Sequence, residues 1–159
     1  PIVRAMPNTP AAISKGITAI VGNAKAGSRS LDEAETLLSA VGAVVRLTEE
    51  AQIDAVTGVS GSGPAYVFHM IECMAAAGVA QGLPEELAMQ LAKATVAGAG
   101  ALAMQAEEDP AQLRVNVTSP NGTTQAALEV LMDKAEGFPP LLKRAVAAAA
   151  DRSRELANG

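Results

Sequence analysis

The sequence predicts a mainly α-helical fold preceded by a small α/β segment, and three observations carry that expectation. Short apolar runs bounded by Gly, Pro or Asn, the pattern of buried strands, occur up to Leu47 and then stop. From Thr48 onward the pattern is helical, with Ala-rich stretches such as residues 145–150, and Ala loses no side-chain entropy in a helix. Nearly half of the 159 residues are hydrophobic, yet only Tyr66, Phe68 and Phe138 are aromatic. The core must therefore be built from Ala, Val, Leu, Ile and Met at close range. Residues 1–47 are expected to be the terminal strands and helix of an α/β domain, and residues 48–159 an all-α domain. The first segment is too small for a core of its own, whereas the whole chain can bury one.

The elements follow in order. Strands are expected over residues 2–5, 17–21 and 44–47. Between the last two lies a helix with a capping box, Ser30-Leu31-Asp32-Glu33, and an apolar face of Leu31, Ala34, Leu37, Leu38 and Val41. Residues 49–59 predict a helix, and Ser60-Gly61-Ser62-Gly63 a turn that leads into Pro64 at a helix start. The helix over 64–80 is apolar nearly all round, so burial on every side is expected. Gly82 ends it, and Pro84-Glu85-Glu86 opens a long helix to about Gln105, with Gly98 and Gly100 marking close approach of another backbone. Shorter helices are expected over 110–115 and 124–134, and a last one over 139–156. A helix apolar on all sides needs more partners than one small domain offers, so an obligate, interlocked homodimer is expected.

Composition excludes several classes. A net charge of −5 without a Lys/Arg cluster argues against a nucleic-acid partner. The lone Cys73 rules out an intrachain disulfide framework and fits a reducing, cytoplasmic compartment. His69 stands four residues before it on one helical face, but two ligands without a third favour a structural role, so no metal is expected. The longest uncharged helical run, residues 94–106, is shorter than the ~20 residues of a membrane span, so no membrane partner is expected. No signal peptide is visible, and a start at Pro1 rather than Met has the look of a cut inside a longer protein.

Two motifs carry chemistry. Gly61-Ser62-Gly63-Pro64-Ala65-Tyr66 has half of a dinucleotide-binding fingerprint, but Tyr66 replaces the third Gly and a helix precedes it where a strand is needed. The second, Val117-Thr118-Ser119-Pro120-Asn121-Gly122-Thr123-Thr124, sets hydroxyl residues, a Pro turn and a Gly against a helix start. Free backbone N–H groups and the positive end of a helix dipole there form a seat for a carboxylate or phosphate. The plainer reading is that Ser119 or Thr123 caps the helix and Asn121-Gly122 turns the chain.

Three ordered motifs then carry a resemblance: residues 4–10 (Arg-Ala-Met-Pro-Asn-Thr-Pro), 54–66 (Asp-Ala-Val-Thr-Gly-Val-Ser-Gly-Ser-Gly-Pro-Ala-Tyr) and 116–124 (Asn-Val-Thr-Ser-Pro-Asn-Gly-Thr-Thr). Together they resemble the C-terminal portion of the pyrroline-5-carboxylate reductases, over essentially the whole chain. The resemblance implies a helical dimerisation domain of the 6-phosphogluconate-dehydrogenase C-terminal-like type, preceded by a remnant of a Rossmann domain. It also implies hydride transfer from NADPH or NADH to the C=N bond of 1-pyrroline-5-carboxylate, giving L-proline, with the chain by itself inactive. Asn121 stands where the family usually has Gly; Asn tolerates left-handed backbone, so the turn is expected to survive.

The resemblance further implies roles for individual residues. Glu107 would sit near the imine nitrogen, and Thr57 would be a hydrogen-bond partner or proton relay. Ser119, Gly122, Thr123 and Thr124 would hold the substrate carboxylate. Ala5, Met6, Pro7 and Asn8 would lie along a strand end against the nicotinamide, with Asn116 beside them. Without the family, Glu107 is a solvated residue of an acidic run and Thr57 caps or packs. A helical module that only dimerises, and another imine or β-hydroxyacid reductase of the same architecture, remain open alternatives. So does a ring of dimers.

Overall fold

The computed structural model describes residues 1–158, and the chain divides into two compact units, Pro1–Ala65 with Leu142–Gly159, and Tyr66–Leu141. In the first unit, strands β1 (Val3–Met6), β2 (Gly16–Gly22) and β3 (Gly42–Arg46) form one sheet in that order. β1 runs antiparallel to β2, with Met6 opposite Ala19, and β2 runs parallel to β3, with Gly16 opposite Gly42. β2 is central. Thr18, Ala19, Ile20 and Val21 are buried in succession, which is why this run is apolar without alternating. A parallel pair needs a crossover, and helix α1 (Ser28–Leu38) supplies it, packed against all three strands.

The expected capping box of α1 does not form. Gly27 is the N-cap, its carbonyl accepting the N–H groups of Ser30 and Leu31, so Ser30 lies inside the helix. Glu33 pairs with Arg29 at 2.9 Å, which keeps it from reaching back to the helix start. Asp32 and Glu35 turn instead to Arg46 of β3, and these hydrogen bonds hold its guanidinium above its ordinary pKa. At the opposite end of the β2–β3 pair, Gly42 has a φ of +145° and its missing Cβ would run into the carbonyl of Gly16. Glycine is required there on both counts.

Helix α2 (Gln52–Val56) is shorter than the helix expected over residues 49–59. Its place is taken over by a π turn, Thr57–Gly61, closed by the Ser62 N–H donating to the Thr57 carbonyl at 2.8 Å. Helix α3 (Gly63–Ala80) begins at once after it, so the expected Ser/Gly turn is wound into helix. The last helix, α7 (Phe138–Asn158), packs on the π turn: a Cβ at Gly58 would meet the Val146 carbonyl at 2.8 Å and Ala150 Cβ at 3.4 Å. Ser153 Oγ donates to Asp54 Oδ1 at 2.6 Å, and Ile53 is fully buried.

In the second unit the helices are α3 from Tyr66, α4 (Glu85–Gln105), α5 (Pro110–Asn116) and α6 (Thr123–Leu131). Gly82, at φ +96°, turns the chain out of α3, and the Leu83 N–H closes back on the Gly78 carbonyl at 3.1 Å. α3 and α4 meet through Ala75, Ala88 and Ala92, flanked by Ile71 and Met89. Gly78 permits this approach, since its Cβ would lie 3.2 Å from that of Ala88. Before α7, Asp133 accepts the N–H groups of Ala135 and Glu136, which hold its carboxyl below the ordinary carboxylate pKa.

The expectation that α3 is buried on every side fails for the single chain. Ala75 is its one buried residue, while Val67, Phe68, Met74 and Val79 face outward, Phe68 at 59% exposure. Nor, among the described residues, would a Cβ at Gly98 or Gly100 meet anything within 4 Å beyond the helix itself. The polar stripe of α3 is local: His69 meets Glu72 at 3.0 Å and Cys73 Sγ at 3.6 Å. α4, at 21 residues with a mean hydropathy of 1.3 over its most apolar 18-residue stretch, is long and apolar enough to cross a membrane by length and composition. The charge-free run over residues 94–106 understated it, because the helix continues through Lys93 to Glu85.

At Gly58 the π turn lies close against α7. Gly58→Ala should destabilise the fold by about 1–3 kcal/mol, the usual cost of overpacking. Thermal unfolding at fixed protein concentration checks this, at roughly 2–4 °C per kcal/mol.

Candidate functional site

The residues singled out by sequence fall on both units. Ala5, Met6, Pro7, Asn8 and Thr57 belong to the first; Glu107, Asn116, Ser119, Gly122, Thr123 and Thr124 belong to the second.

In the first unit, Ala5 and Met6 end β1, and Asn8 fixes the chain just beyond. Its Oδ1 accepts the Ile17 N–H at 2.9 Å and its Nδ2 donates to the Ser60 carbonyl at 3.2 Å. One side chain thereby ties the Pro7-Asn8 segment to both the start of β2 and the π turn. The terminal methyl of Met6 lies 2.5 Å from where a Gly61 Cβ would be, and Thr57 Cγ2 lies 3.7 Å from the same point. Glycine at 61 thus lets Met6, Asn8, Thr57 and Ser60 gather in one place. Only the first, second and third of these were singled out by sequence. Ser60 contributes through its carbonyl, which no side-chain pattern reveals.

Thr57 Oγ1 donates to the Ile53 carbonyl at 2.8 Å. With its proton so committed, the oxygen retains lone pairs and can accept a hydrogen bond. An i→i+5 turn of this kind is rare and often accompanies functional positions. Thr57 opens onto a cleft of about 430 Å³ that Arg4, Ser62, Arg152 and Ser153 also line. Arg4 is paired with Glu50 and Arg152 with Glu155, so both cations are partly compensated. Gly61-Ser62-Gly63 passes from the π turn straight into α3, which leaves no strand–turn–helix to cradle a pyrophosphate there. The strand ends also differ from a uniformly parallel sheet: β1 alone presents its carboxyl end at residues 5–8, because β2 and β3 run the other way.

In the second unit, Glu107 lies in the bend between α4 and α5 and is exposed. Within the acidic run, Asp109 is committed as the N-cap of α5, accepting the Gln112 N–H at 2.8 Å; Glu107 has no such duty. At the other end of α5, Asn116 Oδ1 accepts Gln112 Nε2 at 2.8 Å. The chain then leaves the helix, with Thr118 Oγ1 donating to the Arg114 carbonyl at 2.6 Å, and turns through Ser119–Gly122 into α6.

At that turn one part of the plainer reading holds, since Asn121-Gly122 turns the chain, and the capping part does not. Neither Ser119 nor Thr123 caps α6. The N-cap is Gly122, without a side-chain cap, and the Gly122 N–H bonds to the Ser119 carbonyl at 3.0 Å. The first N–H groups of a helix have no partner inside it, so those of Thr123, Thr124 and Gln125 point out of the helix start. Asn121 takes the left-handed conformation, φ +58°, as its tolerance for that region requires. Sequence missed Gln125, whose Oε1 accepts the Asn121 N–H at 2.7 Å.

Residues 50–156 match the family profile described as pyrroline-5-carboxylate reductase dimerisation. Curated pyrroline-5-carboxylate reductases include one from Pseudomonas aeruginosa, 48% identical across 99% of this chain, and one from Synechocystis, 50% identical across 98%. The chain spans 57% of the length of each. Among solved structures, the Coxiella burnetii enzyme superposes with a TM-score of 0.92 at 40% identity, over 98% of this chain and 57% of its own. The Plasmodium falciparum enzyme, solved with NADP bound, gives 0.85 at 31%, over 98% and 62%. The chain belongs to the pyrroline-5-carboxylate reductase family.

Asn8 offers a direct test of the first cluster. Asn8→Asp keeps the acceptor for Ile17 but sets a carboxylate against the Ser60 carbonyl, where a donor stood. Loss of about 1–3 kcal/mol is expected, read by urea unfolding at neutral pH.

Proposed function

We propose that, within a complete reductase of this family, this chain seats the substrate and joins the subunits for reduction of 1-pyrroline-5-carboxylate to L-proline. The observation that carries the proposal is the α6 start, where hydroxyls, a left-handed Asn121 and uncapped N–H groups converge in a chain whose residues 50–156 match the family. Ser119, Gly122, Thr123 and Thr124 bind the substrate carboxylate there, aided by the helix dipole. The seat is electrostatic and largely backbone-made, so it fixes the ring without taking part in the chemistry.

An imine accepts hydride well only when its nitrogen carries a proton. Glu107 is assigned to hold positive charge at that nitrogen, and its freedom from the capping duty of Asp109 supports the choice. Thr57, with its oxygen available as an acceptor, is assigned to orient the N–H. The hydride comes from NADPH or NADH, whose nicotinamide is proposed to rest along Ala5, Met6, Pro7 and Asn8; Asn116 is proposed as a further contact of the cofactor. The pyrophosphate turn of such a cofactor has no counterpart at Gly61–Gly63, so residues 1–47 are proposed to be the terminal part of a Rossmann domain, and residues 48–159 the dimerisation domain.

The homodimer follows from the same family and from the outward apolar residues of α3 and α4, among them Phe68, Leu102 and Met104. Their coverage by a second copy supports a cytoplasmic protein, with α4 packed against protein and not lipid. The buried area should exceed ~2,000 Å², the obligate range.

Steady-state kinetics on the complete enzyme at saturating cofactor separate the two roles. Thr124→Val should mainly raise KM, because the carboxylate is held equally in ground and transition states. Glu107→Ala should lower kcat/KM by roughly ten- to a hundredfold, the loss of one charge-assisted contact worth about 1.5–3 kcal/mol. If Glu107→Ala equals wild type, Glu107 is only a solvated charge. If proline binds without measurable heat, a pure assembly module is the better reading.

A further inference from the structure

We infer that Gln125 is a positioning residue that locks the carboxylate-binding turn, an inference that rests on the carboxylate seat proposed above. Asn121 and Ser14 are the non-glycine residues with positive φ among those described, and Asn121 lies in the middle of the proposed seat. Asn tolerates this conformation better than most L residues, and a hydrogen bond to its N–H holds the turn in it more firmly. Gln125 Oε1 accepts the Asn121 N–H at 2.7 Å, across one turn of chain. The arrangement is a variant of the capping box. With Gly122 as N-cap, Gln125 is the third helical residue, the position from which Gln or Glu ordinarily reaches back to the N-cap N–H. Here the Gly122 N–H is already taken by the Ser119 carbonyl, and the side chain reaches one residue further, to Asn121.

The consequence is a division of donors. Asn121 and Gly122 spend their N–H groups on the turn itself, through Gln125 and Ser119. Those of Thr123, Thr124 and Gln125 are left to face an anion. A side chain that capped the helix from within the turn would have occupied the same donors. Gln125 thus stabilises the turn from the rear and keeps the anion side clear. Its amide is itself steadied by Glu129, 3.4 Å from Nε2.

The test compares Gln125→Met, similar in length but lacking the carbonyl acceptor, with Gln125→Glu, which keeps an acceptor oxygen. In the complete enzyme, Gln125→Met should raise KM for 1-pyrroline-5-carboxylate and Kd for proline about three- to tenfold, the worth of one hydrogen bond. Its kcat should stay within twofold of wild type, and so should its Kd for prolinamide, which has no carboxylate. Native-state amide exchange at Asn121 should quicken in Gln125→Met and quicken less in Gln125→Glu, which keeps the acceptor for Asn121 but loses the donor to Glu129. Unchanged proline affinity, or unchanged Asn121 exchange in Gln125→Met, overturns the role of Gln125 and leaves the carboxylate seat standing. If wild type binds proline and prolinamide alike, the seat itself is wrong and the inference falls with it.

Discussion

Because only Tyr66, Phe68 and Phe138 are aromatic, this chain excludes water where backbones come close enough for methyl groups and bare Cα atoms to touch. Gly42 against Gly16, Gly58 against Val146 and Ala150, and Gly78 against Ala88 are such contacts, one in the sheet and two between helices. Each fixes an element that carries a proposed functional residue or leads to one. Gly58 stands next to Thr57, so the packing of α7 and the placing of that hydroxyl are one constraint. Small contacts bury little area apiece, and the larger side chains of α3 and α4 therefore remain outward, available to a second copy of the chain.

The proposed substrate seat obeys a different economy, that of hydrogen-bond donors. A turn that enters a helix has several N–H groups to place, and each one satisfied internally is lost to a ligand. In this chain carbonyl and side-chain acceptors behind the turn satisfy the donors of Asn121 and Gly122, and the helix start stays open. The Asp109 cap shows the alternative a few residues earlier, where a carboxylate takes the Gln112 N–H and sets its own negative charge at the start of α5.

Much of the fold was legible in the sequence. The three strands lie within a residue or two of their apolar runs, since a central strand buried on both faces leaves an unbroken apolar stretch. Gly82 ended α3 as expected, its φ of +96° being the conformation that made it glycine. Failures came where one local interaction displaced another, or where the pattern is silent. Ser30 did not cap α1 because Glu33 is held by Arg29 and the Gly27 carbonyl already closes the first turn. The direction of β1 against β2 is invisible to periodicity, which is the same for parallel and antiparallel strands. Of the proposed site, the sequence supplied candidate residues by type and order; it did not point to the Ser60 carbonyl, which is backbone, or to the reach of Gln125 past the N-cap to Asn121.

The π turn at Thr57–Gly61 has a bearing on how this segment tolerates change in length. A helix places successive side chains roughly 100° apart, so one residue more or fewer rotates everything beyond it by that angle. Five residues here occupy what an α-helix would close with four, as the Ser62 to Thr57 hydrogen bond records. Removing any one of them would let the segment relax into ordinary α-helix and would swing Thr57 out of phase with Ser62 and α3. The surplus residue is thus a phase shifter. Substitutions along 57–61 alter one side chain each, close-packed Gly58 and Gly61 included, but an indel resets the facing of an entire helix, so the count of residues in this stretch is constrained along with their identities.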